Sequence, residues 1–521
     1  MSIWEISREY AGIAEAGGVK NVVCSLSEGL YQHGFEVTVF LPFYGCTVFS
    51  SIEDFEIIED VSVPIAIDGR DYQVSYATGS VDGIQFVFIV SHIFTDKLGV
   101  YTYTELDEKK DSSRKHGEGH ADAPVMEMLF QKAVLEYGVS FPSAVPEIIH
   151  CHDATCAFLP SFARELPQFA PVYEKTRFMT TIHNAGPYYH HEIPSLERAE
   201  ALTGLSESVL RKGSWNGAVE PYFLSGFYAM LTTVSPWYAE ELTDPASENT
   251  AGLSQAFSSA GMKIYGVTNG IDYDRYNPED IRISGLSFPF SPEKGDFEGK
   301  ESIQREMVTM YQKATDRSLD TPHIPPDIKP HGYITHGSVF FSFHGRLAFQ
   351  KGIDILIQAV PAVLEAEPAA RFVITGQGSA DLEQALIACT EKYPGKVLYL
   401  QGYEKATARQ TVAASDFLIL PSHFEPCGLE DLIGAMYGTI PVAHETGGLR
   451  KIEHGKTGFL YKKNESSLLA DLLIKLAHQY QENQQVFQKI RIEAAQTAYN
   501  KFNWNTVIEN GYIPLISELL K

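Results

Sequence analysis

From residue 338 onward, short apolar runs alternate with stretches in which apolar positions recur every three or four residues. The runs at 338–345, 371–376, 397–402 and 416–420 read as strands, and the periodic stretches at 353–365, 382–392 and 406–414 read as the helices between them. Strand and helix alternating at this spacing predict a doubly wound parallel sheet. The run at 416–420 ends in the polar loop Pro421-Ser422-His423-Phe424-Glu425-Pro426-Cys427-Gly428, and helical spacing follows at Leu429, Leu432, Ile433 and Met436. Another apolar run, 439–443, leads to Thr446-Gly447-Gly448, small enough for main-chain N–H groups to approach a ligand. Two strands thus deliver two loops to the carboxyl edge of the sheet, where open parallel sheets bind ligands.

The same rhythm opens the chain. A strand at 2–7 is followed by a loop ending in Gly17-Gly18, a helix carrying Val22, Val23, Leu26 and Leu30, and a strand at 36–41. This is the pattern of a mononucleotide-binding βαβ unit, although the two glycines alone are equally consistent with a tight turn. Runs at 61–67 and 84–90 are rich in strand formers, whereas 104–122 is so polar that it reads as a solvated or mobile loop. Strands at 147–151 and 178–182 deliver His152-Asp153 and His183-Asn184. Residues 281–337, rich in Pro, Gly and charge, read as a surface insertion with one helical piece at 300–313, and the tail 501–521 has helical apolar spacing.

Composition narrows the function classes. A chain of 521 residues has room for about two to four domains, and 44% hydrophobic with 21% charged residues excludes a disordered or fibrous chain. The 41 basic and 66 acidic residues leave a net charge of −25, which argues against nucleic acid as a partner and requires any anionic ligand to meet a local basic pocket. Such a pocket is legible at 344–356, where Arg346 and Lys351 stand between a strand end and a helix start. Six cysteines without paired ligand spacing do not predict a disulfide framework. The cluster Cys151-His152-Asp153-Ala154-Thr155-Cys156 lacks the second Cys/His pair of a zinc finger, so no metal is expected there. No apolar run approaches about 18 residues, so neither a signal peptide nor a membrane partner is expected, and the expected location is cytoplasmic.

Three segments carry a family resemblance. Phe424-Glu425-Pro426-Cys427-Gly428-Leu429, Tyr437-Gly438-Thr439-Ile440-Pro441-Val442 and Thr446-Gly447-Gly448-Leu449 stand in register with the nucleotide-sugar loops of bacterial glycogen synthases and plant starch synthases, which this chain resembles over essentially its whole length. The resemblance implies an α/β fold of two Rossmann-like, doubly wound parallel-sheet domains facing a cleft, the GT-B glycosyltransferase architecture. It implies an N-terminal acceptor-side domain at 1–263, a nucleotide-sugar domain at 264–500 with an insertion at about 281–337, and a C-terminal helix at 501–521 crossing back to the first domain. The implied activity is retaining glucosyl transfer from ADP-glucose, with UDP-glucose as the other donor, to an α-1,4-glucan. No oligomeric state is implied.

By the same resemblance Arg346 and Lys351 hold the donor diphosphate, Glu425 meets sugar hydroxyls beside the amides of Cys427, Gly428 and Leu429, and Thr446, Gly447 and Gly448 complete the loop. Asn269, Gly376 and Gly378 are assigned to the nucleotide side, and Gly17, Gly18, Asp153 and His183 to the first domain's part of the site. No metal and no cofactor are expected, because two cations can neutralise a diphosphate. Cys427 is expected to shape its loop, not to act as a nucleophile. The chain departs from the family pattern at Ala154-Thr155, where the family has Trp-His, and at Glu15, where bacterial members have Lys. Two other readings stay open: a related enzyme using UDP-glucose with a different acceptor, and a catalytically weak glucan-binding homologue.

Overall fold

Strands in the first half of the chain assemble from residues that alternate or run continuously apolar, and the parallel ones are buried on both faces. The computed structural model describes residues 1–313 and 324–521. Its main-chain contacts divide the protein into two units, one comprising Met1–Thr268 with Ile508–Lys521 and the other Asn269–Val507.

The first unit contains β1 (Ser2–Ile6), β2 (Glu36–Pro42), β3 (Glu53–Ile67), β4 (Arg70–Val81), β5 (Ile84–Val90), β6 (Ile148–His152), β7 (Arg177–Ile182), a small hairpin of β8 (Ser214–Trp215) and β9 (Ala218–Val219), β10 (Met230–Thr233) and β11 (Ile264–Gly266). Nine of these form one sheet in the order β11-β10-β7-β6-β1-β2-β5-β4-β3. The strands from β11 to β5 pair in parallel, and β3 and β4 extend the sheet antiparallel. From β6 the strands run outward in chain order to β11, and from β1 the chain goes the other way, to β2 and beyond it β5, β4 and β3, so the order reverses between β1 and β6. At such a switch point the loops diverge and leave a crevice at the carboxyl ends of the strands. Trp4, Phe40, Leu129, Ile149, Phe162 and Phe178 pack beneath it.

The second unit carries β12 (Ile328–Gly332), β13 (Val339–His344), β14 (Ala370–Gly376), β15 (Val397–Gly402), β16 (Phe417–Leu420), β17 (Ile440–His444) and β18 (Phe459–Tyr461) in the order β12-β15-β14-β13-β16-β17-β18. All neighbours are parallel except the edge pair β12/β15. Here the order reverses between β13 and β16. No helix among the described residues is long and apolar enough to cross a membrane.

Two local expectations change. The polar stretch 104–122 contains a helix, Glu105–Lys110, started by a reciprocal cap: Thr104 N–H donates to Asp107 at 2.8 Å and Asp107 N–H donates to the Thr104 hydroxyl at 3.3 Å. Polarity there records a capped surface helix. Residues 281–337 are likewise more than a surface insertion, and their middle, 314–323, lies outside the described residues. Helix Glu298–Met310 buries Ile303 and Met307 in the core, and β12 joins the sheet. Its Lys300 is 4% exposed and donates to the carbonyls of Ala413 and Ser415 at 2.7 and 2.6 Å and to the Thr439 hydroxyl at 2.8 Å, closing the C-terminal end of helix Lys405–Ala414. Burial pushes the Lys300 pKa well below its ordinary value, and the three acceptors offset the loss of water, which composition does not reveal.

Candidate active site

The expected site residues fall into two groups, one in each unit. In the second unit they gather where β13 and β16 end. Strand β13 terminates at His344, and the chain turns through Gly345, the exposed Arg346 and a short 3-10 turn, Phe349–Lys351, before helix Ile353–Ala366. Gly352 between them has φ 64°, and a Cβ there would collide with the Pro421 carbonyl, so only glycine lets this loop lie against the one after β16. That approach brings Lys351 Nζ within 2.7 Å of Glu425 Oε2, which also accepts from the Ser422 hydroxyl at 3.1 Å. Burial works against the Lys351 charge, but Glu425 and Glu430 together raise its pKa above the ordinary value, so it stays an ammonium. Arg346 is near enough to act on it electrostatically and has no side-chain partner among the described residues.

A second pair stands beside the first. His344 Nδ1 lies 3.0 Å from Glu430 Oε2. Burial would raise the Glu430 carboxyl, but His344, Lys351 and Arg409 bring it below the usual range. His344, Lys351, Ser422, Glu425, Gly428, Leu429 and Glu430 line one pocket with Asp431 and Leu449. The adjacent loops close around it through the main chain. Leu347 N–H donates to Gln377 O at 2.9 Å, which sets Gly376 and Gly378 beside the β13 loop, and Gly448 N–H donates to Glu425 O at 2.8 Å, which sets Thr446, Gly447 and Gly448 against the β16 loop. Asn269 is buried, and its main-chain N–H faces the Cys427 sulfur; its Oδ1 has no partner among the described residues. Burial pushes the Cys427 thiol up to about 11, so it is protonated at neutral pH and unsuited to nucleophilic attack.

Lys451, which the sequence reading did not single out, holds these loops together. Its side chain is 1% exposed, and its ammonium donates to the carbonyls of Cys427 at 2.7 Å, Gly428 at 2.8 Å and Gly448 at 3.2 Å while pairing with Asp431 at 2.9 Å. The only signal in the sequence was a lysine two residues past the Thr-Gly-Gly-Leu segment.

In the first unit, Gly17, Asp153 and His183 collect at the carboxyl ends of β1, β6 and β7. Glu9, just past β1, accepts from the N–H groups of Ala16 at 3.0 Å and Gly17 at 2.6 Å, and Gly18 precedes helix Val19–Gln32. Asp153 has φ 64° and ψ 173°, a conformation costly for any residue but glycine. It is held there because its Oδ1 accepts from His183 N–H at 2.9 Å and from the Tyr222 hydroxyl at 2.9 Å. Ala154 and Thr155 are buried in the turn that follows. Glu15 accepts from Gly12 N–H at 2.7 Å and pairs with Lys20 at 2.9 Å, so the carboxylate that departs from the family pattern is neutralised by the cation five residues on.

Behind His183 lies a buried cluster. Glu5 Oε2 is 2.9 Å from His150 Nδ1 and 2.7 Å from His152 Nε2, and His152 Nδ1 is 2.9 Å from His183 Nε2. Burial would raise the Glu5 carboxyl, but the two histidines hold it at about 2, while burial and His150 push His152 down to about 3. Acid should therefore destabilise this unit. An unfolded imidazole takes up a proton near 6.5 but folded His152 does not until about 3, so across that window the unfolded state binds the extra proton and stability falls as pH falls. Glu5 adds the same trend between 4.5 and about 2. The urea midpoint of the first unit should drop steadily from about pH 6.5 downward; a midpoint unchanged to about pH 4 would contradict this burial of neutral histidine.

Comparison with known proteins identifies the family. The starch synthase catalytic domain family matches residues 2–258, and glycosyl transferases group 1 matches residues 339–479. A glycogen synthase of Thermodesulfovibrio yellowstonii is 30% identical over 100% of this chain and 98% of its own length. A glycogen synthase of Exiguobacterium sibiricum is 31% identical over 86% of this chain and 84% of its own. Among solved structures, the catalytic domain of starch synthase IV from Arabidopsis thaliana, bound to ADP and acarbose, superposes with a TM-score of 0.80 at 24% identity, covering 99% of each chain, and shows the GT-B fold. With a relative of this identity aligned along the full chain and the same fold in both units, the protein belongs to the glycogen and starch synthase family of glycosyltransferases.

Proposed function

We propose that this enzyme is a retaining glucosyltransferase that extends an α-1,4-glucan from ADP-glucose. The observation that carries this reading is the loop cluster at the β13/β16 switch point, where Lys351 meets Glu425 at 2.7 Å with the exposed Arg346 close by. A glycosyl bond to diphosphate breaks as negative charge grows on the leaving group, and Lys351 and Arg346 supply fixed positive charge for it. Glu425 and the amides of Cys427, Gly428 and Leu429 orient the hexose by accepting from and donating to its hydroxyls. The bond from the anomeric carbon to the phosphate oxygen breaks, and the bond to the glucan 4-oxygen forms on the same face. The proton of that 4-hydroxyl passes to the departing diphosphate. His183 accepts from a sugar hydroxyl. The ADP bound to the Arabidopsis enzyme supports an adenine nucleotide as the donor.

Incubation with radiolabelled ADP-glucose or UDP-glucose and glycogen, followed by counting the precipitated glucan, tests the reading. Label should enter glycogen from ADP-glucose in preference to UDP-glucose. Transfer from UDP-glucose to another acceptor, or glycogen binding without turnover, would overturn it. Because the diphosphate charge is met by side chains, EDTA should leave initial rates within about twofold, far less than the loss on removing a metal that stabilises a transition state. Activity abolished by EDTA and restored by Mg²⁺ or Mn²⁺ would contradict that charge balance.

A further inference from the structure

The buried cluster behind His183 contains a carboxylate that the proposed reaction does not use. Glu5 is fully buried on β1, beside His150 and His152 on β6, with His183 just past β7. Its Oε2 takes both short contacts and its Oε1 has no partner among the described residues. The remaining ring atom of His150, Nε2, lies 2.6 Å from the Thr181 hydroxyl, which in turn lies 2.6 Å from the Thr232 hydroxyl.

These contacts determine where the ring hydrogens sit. An ionised carboxylate can only accept, so His150 Nδ1 and His152 Nε2 must each carry a hydrogen. A neutral His152 then has a lone pair at Nδ1, and the hydrogen in its 2.9 Å contact has to come from His183 Nε2. His183 is buried too, and burial pushes it below 6.5, so it holds only that one hydrogen. Its Nδ1 is left with a lone pair and has no hydrogen-bond partner among the described residues. We propose that Glu5, acting through His152, is a positioning residue that holds His183 in the tautomer with hydrogen on Nε2, so that His183 Nδ1 accepts a hydrogen bond from a sugar hydroxyl. No proton moves along the chain of contacts; the carboxylate orients it. This inference rests on the sugar-hydroxyl role of His183 under the proposed function.

The carboxylate and two histidines also place their ligand atoms within 4.8 Å of one another, as a metal site would. Glu5 Oε2 lies 2.7 and 2.9 Å from the two ring nitrogens, which is the spacing of direct N–H···O bonds.

Two measurements decide the matter. In the unsubstituted protein labelled with ¹⁵N-histidine, long-range ¹H–¹⁵N spectra near pH 7, with His183 assigned by loss of its signals in His183→Gln, should show a protonated Nε2 and a bare Nδ1. The opposite tautomer, a doubly protonated ring, or stoichiometric zinc that is lost in Glu5→Gln would overturn the proposal. In glucan synthesis from ADP-glucose, Glu5→Gln should lower kcat/KM by about tenfold to a hundredfold, by analogy with the partners that orient metal-bound histidines from behind. The same substitution in a His183→Ala background should cost nothing further, because its effect runs through that ring. A loss of equal size in both backgrounds would overturn the proposal. Full activity of His183→Ala would remove the sugar-hydroxyl role, whereas absence of glucan synthesis by the unsubstituted protein would count against the proposed function instead. Should Glu5→Gln fail to fold, the spectrum of the unsubstituted protein still decides the tautomer.

Discussion

Replacing Lys351 with Ala is expected to lower turnover by about a hundredfold or more, roughly 3 kcal/mol of transition-state stabilisation. In the proposed reaction its ammonium serves the leaving diphosphate, whose charge is greatest as the glycosyl bond breaks. The geometry makes that role specific. Gly352 lets the loop approach Pro421, and this approach is what puts Nζ 2.7 Å from Glu425 and keeps the group charged although it is partly buried. Donor binding therefore exchanges one anionic partner for another and needs no change of protonation. Since the interaction strengthens towards the transition state, kcat and kcat/KM should fall together, whereas a cation that only anchored the donor would raise KM alone. Arg346→Ala should show the same pattern, because that exposed guanidinium has no protein partner among the described residues to satisfy. Near-unchanged turnover in a folded Lys351→Ala protein would remove the diphosphate assignment.

Replacing Lys451 with Met is expected to cost about 3–5 kcal/mol of stability in the second unit, the range for breaking one side of a buried ion pair. The substitution removes four contacts at once: three loop carbonyls lose their donor and Asp431 loses its counter-charge. Burial already pushes the Asp431 carboxyl up to about 6 against the pull of Lys451, so without the lysine it would have to be buried as an unpaired charge or take up a proton. Two loops of the candidate site would loosen with it, because the close approach of Gly448 to the Cys427 main chain, where a Cβ would collide, would keep only the Gly448 N–H bond to Glu425 O and lose the three carbonyl contacts of Lys451. Urea unfolding of Lys451→Met, Asp431→Leu and the double variant tests the argument. The double variant should lose less than the sum of the single losses, since removing both charges leaves neither stranded. An unfolding midpoint indifferent to Lys451→Met would show that the ammonium does not hold the loops.

Much of the second unit was legible because its strands are buried on both faces and therefore stand out as apolar runs. The run at 416–420 corresponds to β16, Phe417–Leu420, and the run at 439–443 to β17, Ile440–His444, the bounds agreeing to within a residue. Residues 104–122 and 281–337 were misread for a common reason. Both are polar, and polarity separates solvent from core only when the polar groups lack partners; Thr104 and Asp107 satisfy each other, and Lys300 finds three acceptors.

The order of apolar runs, helical spacing and the three loop segments determined by themselves that this protein has Rossmann-like sheets and belongs with the glycogen and starch synthases, because those signals are local and each is read within about one element's length. The tertiary structure decided which buried polar groups meet. Lys351 reaches Glu425 across 74 positions, Lys300 reaches Thr439 across 139, and Glu5 reaches His152 across 147. Periodicity says which residues leave water, but a buried charge is tolerable only where a specific partner waits, and that partner is set by strand order and register, which bring β1 beside β6 and β13 beside β16.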